Sequence, residues 1–159
     1  MDLRKGLAQE LKVTEEFFNR STNCLTEENS AFAPQEVLYT VAGHVTHTAQ
    51  TIEWFSDGAF NSKGFDMNFD DHIKEARETK SLQAARDRLK NAFAHLAGLL
   101  ESKSEADWLA PIAEGPIMGG QPRFTIFSAI VDHCAHHRGA LTVYSRLLGK
   151  VPAMPYMDM

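Results

Sequence analysis

The chain has 159 residues, a length typical of one domain that buries its own apolar core. Its composition, 43% hydrophobic and 23% charged, is that of a globular protein and excludes an intrinsically disordered chain. The formal net charge of −5 gives no long-range attraction to a phosphate backbone, and no run of about eighteen apolar residues occurs, so we expect neither a nucleic-acid nor a membrane partner.

Apolar residues repeat at helical spacing in four long segments, each of which predicts an α-helix. The first predicted helix runs from about Leu3 to Ser21. The second begins at Pro34, a residue suited to the first turn of a helix, and ends at Asp57-Gly58. Its apolar stripe consists of Val37, Leu38, Val41, Val45, Ala49, Ile52 and Phe55.

The third predicted helix follows a connection rich in Gly, Asn and Asp over residues 58–71. It starts near His72 and ends at about Leu100. The pair Asp70-Asp71 is interpreted as its N-terminal cap, because carboxylates are favoured at that end of the helix dipole.

The fourth predicted helix covers residues 123–148, with Gly149 as its C-terminal cap and an extended tail over residues 151–159. The preceding residues 101–122 contain so many Pro and Gly residues that they predict a surface loop or lid.

No segment sustains the two-residue period of a strand, so the sequence predicts an all-α fold, namely a four-helix bundle formed by a single domain over residues 1–159. The order of the helices along the chain does not determine their arrangement in the bundle. The N-terminus lacks the apolar stretch of a secretory signal, and the two cysteines, Cys24 and Cys134, form no paired motif. These features predict a cytoplasmic protein with reduced thiols.

Five of the seven histidines occupy two short windows, residues 43–49 and 132–139. His133 and His137 are four residues apart, so they project from one face of the fourth helix and can converge on one metal ion. The same face carries the apolar residues Ile126, Ile130, Leu141, Tyr144 and Leu148. A His-x-x-x-His pair is also compatible with two hydrogen-bonded core histidines, but a second histidine window on another helix favours a three-ligand metal site.

The second predicted helix offers His44 and His47 as the third ligand. His44 borders the main apolar stripe, whereas His47 shares a side with Thr40, Thr51 and Trp54. Spacing alone therefore slightly favours His44.

Residues 133–141, with the sequence HCAHHRGAL, followed by Tyr144, Arg146 and Gly149, resemble the last helix of the DinB/YfiT-like family of four-helix metalloproteins. Residues 40–55, in which the run HTA precedes the pair WF, resemble the second helix of that family. The resemblance implies a DinB/YfiT-like four-helix bundle.

The resemblance also selects His47 over His44, and it implies that His47, His133 and His137 bind one divalent ion. Three imidazoles and a solvent molecule suit nickel or zinc, with ferrous iron as a further candidate. The sequence departs from the family at Ala140, where members often carry Gln, and in its extra imidazoles. The extra histidines His44 and His136 are candidates for orienting the ligands or for simple packing.

Some members of the family are transferases or isomerases that depend on low-molecular-weight thiols, so the leading hypothesis is a metal-held thiolate that attacks a small electrophile. The alternatives are a non-catalytic metal-binding or stress-response protein and a metal-dependent hydrolase. A pocket beside the open coordination position, lined by residues 101–122, would favour the enzyme.

Four further residues are interpreted as structural. Trp54 and Phe55 are assigned to core or dimer packing rather than to a substrate platform. His72 and His95 are interpreted as solvated or capping residues. A homodimer is compatible with the sequence, although no feature requires it.

Overall fold

The structure is a computed structural model that describes residues 2–157. Six α-helices form in this range: α1 (Leu3–Thr22), α2 (Val41–Phe60), α3 (Phe69–Glu78), α4 (Leu82–Ser102), α5 (Glu105–Leu109) and α6 (Ile126–Leu147). The described residues form no β-strand, and their only strand-like pairing is an isolated bridge between Pro111 and Pro122. The prediction of an all-α fold is confirmed. Within the same residues, no helix combines the length and the apolarity that crossing a membrane requires.

The four long helices α1, α2, α4 and α6 form the bundle. Helix α1 packs against α4 and α6, and α2 packs against the same two helices. Consequently α1 and α2, which follow each other in the chain, lie diagonally opposite in the bundle. Helix α2 and helix α6 are neighbours, which places the two histidine windows side by side.

Helix α2 begins seven residues later than the predicted start at Pro34, because Thr40 provides a better cap. The Thr40 hydroxyl accepts a hydrogen bond from the Gly43 amide at 3.0 Å, which satisfies one of the free N–H groups of the first turn. Two members of the predicted stripe, Val37 and Leu38, lie before the helix and are 70% and 43% exposed. Their assignment to the core was wrong.

The predicted stop at Gly58 was also wrong, since α2 continues to Phe60. A Cβ atom at Gly58 would lie 2.1 Å from the ring of Phe65. The glycine therefore makes room for this ring, which folds back from the next segment, and it does not end the helix.

The third predicted helix is divided into α3 and α4. The break occurs where the Ser81 hydroxyl accepts from the Ala84 amide at 3.1 Å and caps a new helix. The carboxylates Asp70 and Asp71 lie in the first turn of α3, where the helix dipole favours them, but the N-cap position belongs to Asn68. The predicted cap was therefore misplaced.

The segment 101–122 is not a free loop or lid. It contains α5, which starts with a reciprocal capping box between Ser104 and Asp107. Trp108 from this helix is fully buried against Phe60 and Phe127. The prediction failed because it counted breakers and overlooked the capping box and the buried indole.

The last predicted helix agrees with the structure more closely. Residues 123–125 form a short 3-10 turn and α6 follows. Gly149 has a φ of 72°, the left-handed conformation expected of a residue that follows a helix C-terminus. The predicted tail is without helix or strand as far as residue 157, whereas residues 158 and 159 lie outside the described range.

Candidate metal centre

Three histidines from two neighbouring helices converge at one point of the bundle. His47 comes from α2, and His133 and His137 come from successive turns of α6. One ring nitrogen of each residue can be chosen so that all three lie within 4.8 Å of one another. This arrangement can accommodate one metal ion with three protein ligands, because zinc binds imidazole nitrogen at about 2.0–2.1 Å.

The three imidazoles are available as neutral donors. Burial lowers the pKa of His133 to about 4 and the pKa of His137 to about 2, and it also lowers the pKa of His47. At neutral pH each ring therefore keeps a nitrogen lone pair, the form that a metal ion requires. His47 Nδ1 is buried and has no hydrogen-bond partner among the described residues. These features of the donor set fit a divalent transition-metal ion.

His44, which spacing slightly favoured as the third ligand, lies behind this cluster. Its Nδ1 atom lies 2.8 Å from His137 Nδ1, so it contacts a member of the cluster from the side of the core. The structure thus brings His47, and not His44, together with the α6 pair. The ring of the exposed His136 lies 4.9 Å from that of His137, measured between centroids, and makes no hydrogen bond with the described residues.

A cavity of about 250 Å³ opens beside the cluster, and His47 and His133 form part of its wall. The other lining residues are Gln50, Thr51, Trp54, Phe55, Phe69 and His72. Most of the exposed wall is apolar and no carboxylate lines it. The prediction that residues 101–122 would line such a pocket was wrong, because the wall consists of α2, the start of α3 and one residue of α6.

Sequence reasoning missed several residues of this wall. Trp54 was assigned to packing, but its indole lies at the cavity, where Nε1 donates to the Asp66 carbonyl at 2.6 Å. His72 was taken as solvated or capping, but it faces the same cavity. Gln50 lies one turn after His47 and is a polar residue on a largely buried helix. This polar residue in an apolar stretch was the one signal that could have indicated a role for Gln50.

Gln50 and Thr51 tie the wall of the cavity together. The Gln50 amide donates to the His72 carbonyl at 3.1 Å and to the Glu75 carboxylate at 2.6 Å, which fixes α3 against α2. The Thr51 hydroxyl lies 2.9 Å from His133 Nε2 and donates to the His47 carbonyl at 3.0 Å. The wall is thus held by hydrogen bonds and does not depend on apolar packing alone.

Neither cysteine lines the cavity, and we expect them to differ in reactivity. Cys134 is 2% exposed, and burial raises the pKa of its thiol to about 12, whereas Cys24 is partly exposed beside the Ser145 hydroxyl. Because the thiolate is the reactive form, iodoacetamide should label Cys24 in the folded protein and leave Cys134 unmodified. Peptide mass spectrometry measures this, and labelling in denaturant should modify both. Rapid native labelling of Cys134 would contradict the burial.

The comparisons with known proteins agree with this architecture. The model of the DinB family matches residues 3–159. Among solved structures the chain is similar to YfiT from Bacillus subtilis, which is described as a probable metal-dependent hydrolase with an unusual four-helix bundle topology. The two share 15% sequence identity with a TM-score of 0.68, over 92% of this chain and 88% of that chain. No curated protein matches the chain significantly. The predicted four-helix bundle is therefore confirmed.

Proposed function

The chain belongs to the DinB family, and on this basis we propose that it is a metal-dependent enzyme whose His47, His133 and His137 hold one divalent transition-metal ion. We further propose that it transfers a low-molecular-weight thiol to a small electrophile. Nickel or zinc suits three neutral imidazoles best, with ferrous iron as a further candidate.

One observation carries the proposal: two of the three clustered histidines, His47 and His133, form part of the wall of an open cavity. A non-catalytic metal-binding protein has no need of such an opening, since a structural site is closed by four protein ligands. Three protein ligands next to a cavity of about 250 Å³ leave room for a small molecule at the remaining position.

The residues of the cavity match the proposed reaction. A bound divalent ion would lower the pKa of a thiol or water molecule at the site, as such ions do elsewhere. Because neither Cys24 nor Cys134 lines the cavity, the thiol must come from a small molecule. The aromatic side chains Trp54, Phe55 and Phe69 give the electrophile an apolar surface to bind.

His72 is the residue best placed to handle the proton. It lies on the cavity wall, where an imidazole nitrogen can accept the proton that the thiol loses. The sulfur then forms a bond to the electrophilic carbon, and the leaving group departs with the electron pair of the bond that breaks. The proton passes from His72 to the leaving group or to solvent, so the charges balance.

Hydrolysis is the second candidate, and the position of His72 on the cavity wall also favours this reaction. A general base next to a metal site can activate water for attack on an ester or amide. The description of YfiT as a probable metal-dependent hydrolase points in the same direction.

A single assay separates the two reactions. The protein, purified without an affinity tag and loaded with zinc or nickel, is incubated with a chloro-nitroaromatic compound and a panel of small thiols, and separately with a nitrophenyl ester. We expect a metal-dependent thioether product, identified by mass spectrometry, that is lost in His133→Ala. The His95→Ala variant is the matched control, since His95 is an exposed residue of α4. Ester cleavage without thioether formation would overturn the transferase in favour of the hydrolase, and neither product would favour a non-catalytic protein.

The cytoplasmic location and the homodimer stay predictions. Several large apolar side chains near the end of α6 are exposed, among them Val143 and Leu147, and they are compatible with a contact between two copies.

A further inference from the structure

A chain of buried polar groups extends from His137 to the backbone before α2. His137 Nδ1 lies 2.8 Å from His44 Nδ1, and His44 Nε2 lies 3.2 Å from the Tyr144 hydroxyl. The Tyr144 hydroxyl lies 3.1 Å from the Tyr39 carbonyl oxygen. His137, His44 and Tyr144 are all buried, with exposed fractions of 5%, 7% and 5%, so water cannot replace these partners freely.

The direction of each hydrogen bond follows from the last member of the chain. A carbonyl oxygen can only accept, so the single hydroxyl proton of Tyr144 is donated to Tyr39. The Tyr144 oxygen must then accept from His44 Nε2, which therefore carries the proton of this neutral ring. His44 Nδ1 is left as an acceptor, and the contact at 2.8 Å requires that His137 Nδ1 donates.

We infer that Tyr39, Tyr144 and His44 form a relay of hydrogen bonds that fixes His137 as the Nδ1–H tautomer and leaves the Nε2 lone pair free for a metal ion. His44 and Tyr144 are thus positioning residues that act through His137. This inference deepens the proposed metal centre and rests on it. It also gives a role to His44, an imidazole that is extra to the ligand set.

The packing around the relay holds its rings in place. The ring of Tyr39 meets His44 edge-on with centroids 5.7 Å apart, and Phe32 meets Tyr144 in the same manner at 5.8 Å. A ligand ring with a fixed tautomer and orientation loses less entropy when it binds the ion. Removal of such supporting partners typically costs about 10–100-fold in metal affinity.

The tautomers can be read directly in the metal-free protein. Long-range proton–nitrogen NMR correlations on the nitrogen-15-labelled chain distinguish the two neutral tautomers of each histidine. We expect the proton on Nε2 of His44 and on Nδ1 of His137. In Tyr144→Phe, where the acceptor is absent, His44 should become a mixture of both tautomers. A proton on Nδ1 of His44 in the unmodified protein would overturn the relay.

The effect of the relay on the affinity for zinc is measured by competition with a chromophoric chelator. We expect His44→Leu to weaken zinc binding about 10–100-fold, and His44→Gln to recover most of this loss, because its amide oxygen can accept from Nδ1–H. A merely structural role would affect both variants alike, and equal losses would overturn the inference. His136→Leu is the matched control on the exposed side of His137, and its affinity should equal that of the parent.

The two readouts separate the relay from the metal centre on which it rests. If the parent binds no zinc but shows the expected tautomers, the metal centre fails and the relay is a feature of the core. If the parent binds zinc and His44→Leu binds equally well, the metal centre stands and the relay does not position its ligand.

Discussion

The substitution His133→Ala should abolish stoichiometric metal binding, and His47→Ala and His137→Ala should do the same. Each variant removes one of the three proposed protein ligands, which leaves too few to hold the ion against solvent. We expect about one ion per chain in the parent by elemental analysis after dialysis, and only background in the variants. The protein should be purified without an affinity tag, because a histidine tag binds the same metals.

Thermal unfolding provides a second measurement of the same effect. A ligand that binds only the folded state at a free concentration a hundredfold above Kd stabilises it by about 2.7 kcal/mol, which corresponds to a rise in Tm of roughly 5–11 °C for a chain of this size. The parent and the His95→Ala control should show this rise on addition of zinc, and His133→Ala should not. If His47→Ala keeps its metal while His44→Ala loses it, His44 is the third ligand and the proposed set is wrong.

The substitution Trp108→Ala should produce the largest loss of stability. Trp108 is fully buried, and its ring meets Phe60 and Phe127 edge-on at centroid distances of 4.9 and 5.5 Å. Truncation of such a side chain leaves a cavity and costs about 3–5 kcal/mol, which lowers the Tm by roughly 6–20 °C. Chemical denaturation with urea measures the change in the free energy of unfolding.

Two matched variants test the reason for this loss. The indole Nε1 of Trp108 is buried without an acceptor among the described residues, so Trp108→Phe keeps most of the packing and removes an unsatisfied donor. We expect it to cost less than about 1.5 kcal/mol. Leu109, the next residue, is 53% exposed, and Leu109→Ala should change the stability by less than about 0.5 kcal/mol. A small effect of Trp108→Ala would show that α5 does not anchor the segment.

The fourth helix and its histidine pair could be predicted because both depend on local spacing. The interval between His133 and His137 is fixed by the helix itself, and the apolar residues around them indicate which face is buried. The choice between His44 and His47 as the third proposed ligand depends on how α2 packs against α6, which local spacing does not reveal. Spacing placed His44 at the border of the apolar stripe and slightly favoured it as the third ligand, whereas in the structure His44 is buried, with 7% exposure, and His47 is partly buried. The apolar pattern of α2 does not determine which of its two histidines lies closest to both His133 and His137 of α6.

The cavity could not be predicted from the sequence, because its wall combines elements whose boundaries were wrong. Phe69 was placed in a loop and His72 at a ragged helix start, whereas both belong to α3, which packs on α2. A short helix whose position depends on one buried alanine, Ala76, and on hydrogen bonds from Gln50 gives little signal of its own. The diagonal arrangement of α1 and α2 is likewise a result of packing between distant segments, which periodicity does not report.

The proposed metal centre combines residues of α2 and α6, so it can form only at the stage of folding at which these two helices pack together. The contact between His44 and His137 spans 93 positions of the chain, so it closes a long loop. Helix α6 follows α2 in the chain. Until α6 packs against α2, His47 of α2 lies apart from His133 and His137. If the proposed centre forms, it can therefore hold an ion only after α2 and α6 have packed together, which is a late step because their contact is non-local.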